Sequence, residues 1–429
     1  MSVGRSLLGA GALVIGLAGL TVPVAPAYAE EDTCDQIGED STGVDEVTMP
    51  SAPLEELRVA EATELLKTRG KAPGNGIGVA VVDSGIAAEA PVNRAQGFRN
   101  PAFSKAEGIP YYHGTAVAGL IAGVQRPEGG EVGIAPSATL YDVRVYDAPD
   151  ESDDGEVLGL TDAGVIDGLN WVAANADAVR PRIRIVNVSL AFRPSEALEE
   201  VIGRLADQGV VVVAASGNRP TDESDSVLGD FAGEALPGED AARVVFPAGY
   251  DSVVAATSSV PRPEDPRDYV VASSATDIAA PTFGGVSYSL TGVSCLLPDG
   301  AATSWAAAEI SGVLALLMSA YDGEPTAHTV ARLYRTAAGA GDLTTKLTGH
   351  GVAQPVEALQ RQLTFDDSGA PESSETNNTV LKAQAPRPEA DVLADTRRDA
   401  VWWGLAGGSA LVVAMLLRPV LARRRTAER

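Results

Sequence analysis

The chain is short of cysteine, histidine and positive charge. Of its 429 residues only Cys34 and Cys295 are cysteines, which excludes a scaffold stapled by several bridges and leaves one intramolecular pairing. Histidine occurs three times, as His113, His328 and His350, so any imidazole chemistry falls on one of those positions. Lysine and arginine number 32 against 58 aspartates and glutamates, a formal charge of −26. Phosphate backbones are held by clustered Lys and Arg, so this balance speaks against nucleic acid as a partner. It fits a soluble surface outside the cell.

Hydrophobic residues make up 45% of the chain, enough for a sizeable core, and two apolar segments mark its ends. Residues 1–29 read as a secretory signal. Arg5 supplies the positive start, "LLGAGALVIGLAGL" (7–20) the apolar stretch, and "AYA" (27–29) the small residues of a cleavage site. The mature chain then begins near Glu30; a retained anchor is the competing reading. Residues 400–417 form a second apolar segment, the body of an expected transmembrane helix over 400–421, with Trp402 and Trp403 as an interfacial belt and Arg418, Arg423, Arg424 and Arg425 following the apolar run. Positive residues on that side place the C-terminus, including the basic tail 422–429, in the cytoplasm. The expected topology is a single-pass cell-membrane protein with everything ahead of the span outside. In an exported chain the even cysteine count points to a Cys34–Cys295 disulfide; two free thiols or a bridge to another chain are the alternatives.

Residues 30–53 form an acidic arm without periodicity, extended or disordered. A helical spacing covers 54–70, opening a domain that runs to 362. Within it, short Val/Ile-rich runs (77–83, 139–146, 183–191, 209–216, 251–258) alternate with helix-like stretches (114–123, 160–177, 196–208). Near-continuous apolar strands alternating with helices predict an α/β fold with a mostly parallel sheet covered on both faces. Residues 303–321 read as a long apolar core helix. "DAPDESDDGE" (147–156) clusters carboxylates, but it lacks calcium-loop spacing and reads as solvated loop charge. Residues 363–399, rich in Ser, Glu, Asn, Pro and Asp, read as a flexible stalk.

The stretch "GAATSWAAAEISG" (300–312) sets Ser304 at the start of that long helix. A serine there is either an ordinary helix-start residue or a nucleophile. Three other residues bear on the choice. Asp83 ends the first strong strand and precedes "SG", as a turn former or a site carboxylate. His113 opens a small-residue helix, with Gly114 removing bulk beside it. Asn218 ends "VVVAASGN", as a turn residue or an amide donor for developing oxyanion charge. His328 and His350 lie in polar contexts and read as surface residues. In open parallel sheets functional groups collect at the carboxyl ends of strands, and the order Asp, His, Ser is one of the known triad orders.

These blocks resemble the subtilisin-like serine proteases. "VAVVDSGI" is similar to their Asp motif, "HGTAVAGLIAG" to their His motif, "AASGN" to their oxyanion segment and "ATSWAAAEISG" to their Ser motif, with lesser blocks agreeing over roughly residues 57–360. The signal, arm, domain, stalk and single span resemble the mycosins, membrane-anchored subtilases of type VII secretion systems. The resemblance implies a three-layer subtilisin-like fold and a serine endopeptidase with an Asp83/His113/Ser304 triad. It further implies Asn218 in the oxyanion hole, and a groove for polypeptide substrate built from Ser189, Leu190, Ala191, Ala215, Ser216 and Gly217. No cofactor or metal is expected for this chemistry. The arm is expected to wrap the domain rather than act as a removable inhibitor. A type VII secretion membrane complex is the implied partner, and a second role in stabilising it is implied as well. A mainly structural subunit and a general surface protease are the alternatives. The chain departs from the family at Ala302, Ala191, Ala308 and Glu309, and no cysteine stands beside His113.

Overall fold

The computed structural model describes residues 32–298, 300–339, 343–366 and 394–426. The signal segment and residues 367–393 of the expected stalk lie outside them. Seven strands form the central sheet: β1 (Gly78–Asp83), β2 (Arg94–Arg99), β3 (Thr139–Arg144), β4 (Ile183–Val188), β5 (Val211–Ala215), β6 (Val253–Ser259) and β7 (Ile278–Pro281). Their order is β2-β3-β1-β4-β5-β6-β7, and every pairing is parallel. Every residue of β1 is buried, and so is every residue of β5. The reason is that helices cover both faces, so neither strand alternates polar with apolar.

The helices of the domain are α1 (Ala52–Glu56), α2 (Val59–Thr68), α3 (His113–Ala122), α4 (Asp162–Asn175), α5 (Glu196–Asp207), α6 (Thr303–Ala320), α7 (Thr326–Thr336) and α8 (Pro355–Gln360). One core packs α3 and α6 on the sheet, through Leu120, Ile121, Ile310, Val313 and Leu314 against Val79, Val81, Ile185 and Val213. The other packs α4 and α5 on the opposite face, through Val165, Leu169, Val201 and Leu205 against Val82, Val186 and Val212. This is the expected three-layer α/β architecture. Thr161 and Ser195 cap α4 and α5 by accepting from Gly164 N–H and Leu198 N–H. Helix α6 is apolar enough to cross a membrane but is almost entirely buried, as a central core helix must be.

Several details differ from the sequence reading. The helix expected over 54–70 is two helices, broken at Arg58, whose φ of 56° is left-handed. Its guanidinium bridges Glu61 and Glu357, each at 2.7 Å. The arm is extended but not loose. Cys34, Ile37 and Val47 are buried, Glu39 accepts from the Ile109 N–H at 2.6 Å, and Val47 N–H reaches the Ser294 carbonyl at 3.2 Å. Asp147 is not part of a solvated loop. It is fully buried, 2.5 Å from Arg144 Nη2, and accepts from Ser104 Oγ and the N–H groups of Lys105, Ala106 and Leu158.

A two-stranded hairpin, β8 (Val286–Tyr288) and β9 (Ser294–Leu296), packs against α3. It carries Cys295, which is disulfide-bonded to Cys34. The remaining unit contains helix α9 (Ala394–Thr426). Within it Ala400–Arg418 is long and apolar enough to cross a membrane, and none of that stretch is buried.

Candidate active site

The sheet order changes direction at β1, where β3 flanks one side and β4 the other. A parallel sheet opens a crevice beyond its strand ends at such a point. Asp83 is the last residue of β1, Ser189 follows β4, and Asn218 stands three residues beyond β5. Helices α3 and α6 bring His113 and Ser304 to the same place from their first turns. The residues expected to act together therefore converge from five elements.

Asp83 is fully buried, and His113 Nδ1 lies 2.9 Å from both of its carboxylate oxygens. A carboxylate only accepts, so the proton of this contact sits on Nδ1 and Nε2 is left as the acceptor. Asp83 Oδ1 also accepts from the Ser84 N–H at 2.7 Å and from the Tyr146 hydroxyl at 3.0 Å. The ring of His113 packs against Tyr111, stacked at 5.9 Å, and against Trp305, tilted at 5.1 Å. Close approach explains Gly114. A Cβ there would come within 2.5 Å of the Gly85 carbonyl and 3.1 Å of Asp83 Cβ, so any larger residue would push α3 off the β1 turn. The Ser84 hydroxyl completes the junction by accepting from the Gly114 N–H at 3.0 Å.

Ser304 is not the cap of α6. Ala302 holds that position with extended backbone, and Ser304 is the second helical residue. Its hydroxyl donates to the Ser189 carbonyl at 3.0 Å, and the Ser189 hydroxyl donates back to the Ser304 carbonyl at 2.9 Å. Ala302 has φ −121°, which any residue adopts, so glycine is not needed there.

Asn218 accepts twice through Oδ1, from Thr303 N–H at 2.7 Å and Thr303 Oγ1 at 2.9 Å. That fixes which end of the carboxamide is oxygen and turns its NH₂ away from α6's first residue. Gly217, with φ +110° and Val271 and Leu228 packed close around it, supplies a backbone turn that an L-residue would strain.

His113, Ser189, Asn218 and Ser304 line an open cleft of about 400 Å³, together with Tyr111, Tyr112, Leu190, Ala191, Ala215, Gly217 and Asp225, while Asp83 lies buried behind His113. Ser216 is the exception among the expected groove residues. It is buried, and its N–H is taken up by the Ala256 carbonyl at 2.9 Å. It continues the β5–β6 ladder, so its side chain points away from the groove. Tyr146 and Asp225 escaped the sequence reading. An aromatic with a hydroxyl just past a strand end is a weak sign of a buried hydrogen-bond partner.

A family model described as the Subtilase family matches residues 74–356. This chain belongs to the subtilase family. It is 31% identical to Subtilisin E of Bacillus subtilis over 274 residues, covering 62% of this chain and 61% of that protein. The match therefore spans less than two thirds of that relative. It is 30% identical to Mycosin-1 of Mycobacterium tuberculosis over 380 residues, 82% of each chain. A solved structure of MycP3 protease from the type VII (ESX-3) secretion system aligns with TM-score 0.55 and 26% identity over 75% of this chain and 90% of that one. MycP1 from Mycobacterium smegmatis shares the fold, with TM-score 0.59 and 22% identity over 80% and 92%. Set beside the subtilase pattern, Glu309 stands out, because it is a wholly buried carboxyl on α6, five residues past Ser304.

Proposed function

We propose that this subtilase is a serine endopeptidase that hydrolyses polypeptide substrates through Asp83, His113 and Ser304. One observation carries the reading: a buried carboxylate fixes the Nδ1–H of an imidazole in the cleft that also holds a helix-start serine. Ser304 Oγ attacks the scissile carbonyl once it turns from the Ser189 carbonyl toward His113. His113 Nε2 takes its proton and later returns it to the leaving amine. Asp83 holds the tautomer and stabilises the imidazolium. The Asn218 NH₂ and the Ser304 N–H, at the positive end of α6, receive the oxyanion. The backbone beyond β4 and β5, with Ala215 and Gly217 on one wall and Ser189 to Ala191 on the other, pairs with an extended substrate.

The proposed setting is the outer side of the cell membrane, with the C-terminal helix as a single-pass anchor, the C-terminus in the cytoplasm and a removed signal. The match to Mycosin-1 over 82% of both chains, with the likeness at 26% identity to MycP3 protease from the type VII (ESX-3) secretion system, supports association with a type VII secretion complex. A fluorophosphonate probe on the full chain in detergent tests the chemistry. Labelling is expected, and it is expected to vanish in Ser304→Ala; a well-folded protein that takes no label overturns the proposal. Loss of type VII export on deleting the chain tests the association, and unchanged export would refute it. Export that survives Ser304→Ala but not deletion would locate the essential role in the complex rather than in hydrolysis.

A further inference from the structure

Tyr146 lies two residues beyond β3, is 1% exposed, and is among the largest fully buried side chains of the protein. Its hydroxyl is 3.0 Å from Asp83 Oδ1. The carboxylate cannot donate, so the phenol must. Burial and the negative charge of Asp83 both raise the phenol above its ordinary pKa, in that order, so it stays a donor across the physiological range. Asp83 Oδ1 thus takes a backbone N–H and a phenolic O–H on top of its share of the His113 proton, whereas Oδ2 faces His113.

We infer that Tyr146 is a positioning residue that sets the proton affinity of His113 through Asp83. A hydrogen bond to a charged carboxylate stabilises the charge and draws electron density from it. A carboxylate so held pulls less strongly on the neighbouring Nδ1–H and stabilises the imidazolium less. The same bond prevents rotation of the carboxylate, which keeps both oxygens at 2.9 Å from Nδ1. The other groups that act on this array are few. Tyr111 faces Tyr146 and His113 from the entry to α3, and Tyr112 meets the His113 ring edge-on at 6.4 Å. Asp142, on β3, acts on Asp83 as a like charge. Arg144 is the residue opposite Asp83 in the sheet, but its guanidinium is turned to Asp147. Helix α6 contributes the uncharged Ser304 and Trp305.

The inference rests on the proposed serine chemistry, and a single measurement separates the two. The rate of fluorophosphonate labelling of Ser304 is followed against pH, because its acid limb reports the imidazole of the free enzyme without a known substrate. Tyr146→Phe keeps the ring that packs in the core and removes only the donor. Its acid limb is expected to move up by about half to one pH unit, with a plateau lowered roughly tenfold or less. A ring-fluorinated tyrosine installed at position 146 alone donates more strongly and is expected to move the limb down. Opposite displacements establish the role, and the fluorinated protein gives the answer even where Y146F folds poorly. Limbs that coincide with the parent in both proteins overturn it, whatever happens to the plateau, because a packing role does not move a titration. A limb owned by Asp142 would likewise stay in place. If the parent itself takes no label, it is the serine chemistry that fails.

Discussion

Thr303 holds the carboxamide oxygen of Asn218 with both its backbone N–H and its hydroxyl, at 2.7 and 2.9 Å. The same hydroxyl accepts from the Gly217 N–H at 3.3 Å. The first residue of α6 therefore orients the amide expected to meet the oxyanion, and the next residue is the proposed nucleophile. Asn218→Ala should lower kcat by about 10²–10³-fold with KM little changed, a magnitude that comes from a relative, subtilisin. Thr303→Val should cost roughly tenfold, by loosening the carboxamide. The double variant should be no slower than Asn218→Ala alone, because Thr303 acts through Asn218. Additive losses in steady-state kinetics on a peptide substrate would show that Thr303 acts by another route.

Stability should peak in mild acid. Burial pushes Asp142 and Asp277 up to about 6 in the folded chain. A raised acid binds more protons folded than unfolded between about pH 4 and 6, so its stabilising contribution is full below that window and lost as pH rises through it. Asp240 runs the other way. Burial opposes its ionisation, but the Ser274 N–H and Lys346 hold it down at about 2, so its contribution is present above pH 4 and lost below. Thermal unfolding should therefore give its highest Tm near about pH 4–5 and a Tm several degrees lower at pH 7. The Asp142→Asn, Asp277→Asn double variant should flatten that decline. A Tm that rises steadily from pH 4 to 8 would contradict this assignment.

The disulfide ties the arm to the hairpin that buttresses α3. Ser287 of β8 donates to the Ala116 carbonyl of α3 at 2.6 Å, and Cys295 stands opposite Ser287 in β9. The bridge closes a loop across a sequence separation of 261 residues. Replacing both cysteines by serine should cost about 3–5 kcal/mol of stability and open residues 32–50 to proteases. The probe-labelling rate at 25 °C should change by less than about threefold, because Asp83, His113 and Ser304 are held by the sheet and by α3 and α6. Chemical denaturation and timed proteolysis of parent and variant check both parts.

Legibility followed burial. The strands of the sheet's centre were plain in the sequence because covered faces demand unbroken Val and Ile, as in "GVAVVD" and "VVVAA". Edge strand β2, "RAQGFR", was invisible. It has one neighbour, a register shift between Ala95 and Phe98, and polar residues that carry no strand pattern. Strand β7 is four residues long and ends in proline, too short for a period to register. At the site, the order and motif context of Asp83, His113, Asn218 and Ser304 sufficed to single them out. What acts through contact did not show. The Tyr146–Asp83 bond joins residues 63 apart, the burial of Asp147 depends on Arg144 and Leu158 together, and Ser216 leaves the groove because its N–H is taken up by Ala256 of the neighbouring strand β6, a pairing that no apolar run displays.

Glu309 should be replaceable with profit to stability. It is fully buried on α6, and neither carboxylate oxygen has a hydrogen-bond partner among the described residues. Burial, and secondarily the charge of Glu56, raises its pKa well above the ordinary range, so it is carried as a neutral acid and its ionisation is resisted by the fold. Neutral or not, a polar group without a partner costs about 1–3 kcal/mol relative to one that is paired. Glu309→Met fills similar volume with apolar atoms and should raise stability by more than that at pH 8, where the resisted ionisation adds to the missing partner. The gain should shrink toward pH 4, where the unfolded chain no longer gains from ionising the carboxyl and only the desolvation of the neutral acid is left to relieve. Tm measured across that range for parent and E309M distinguishes the two contributions. A variant less stable than the parent at pH 8 would mean that the carboxyl is held by a partner and is not isolated.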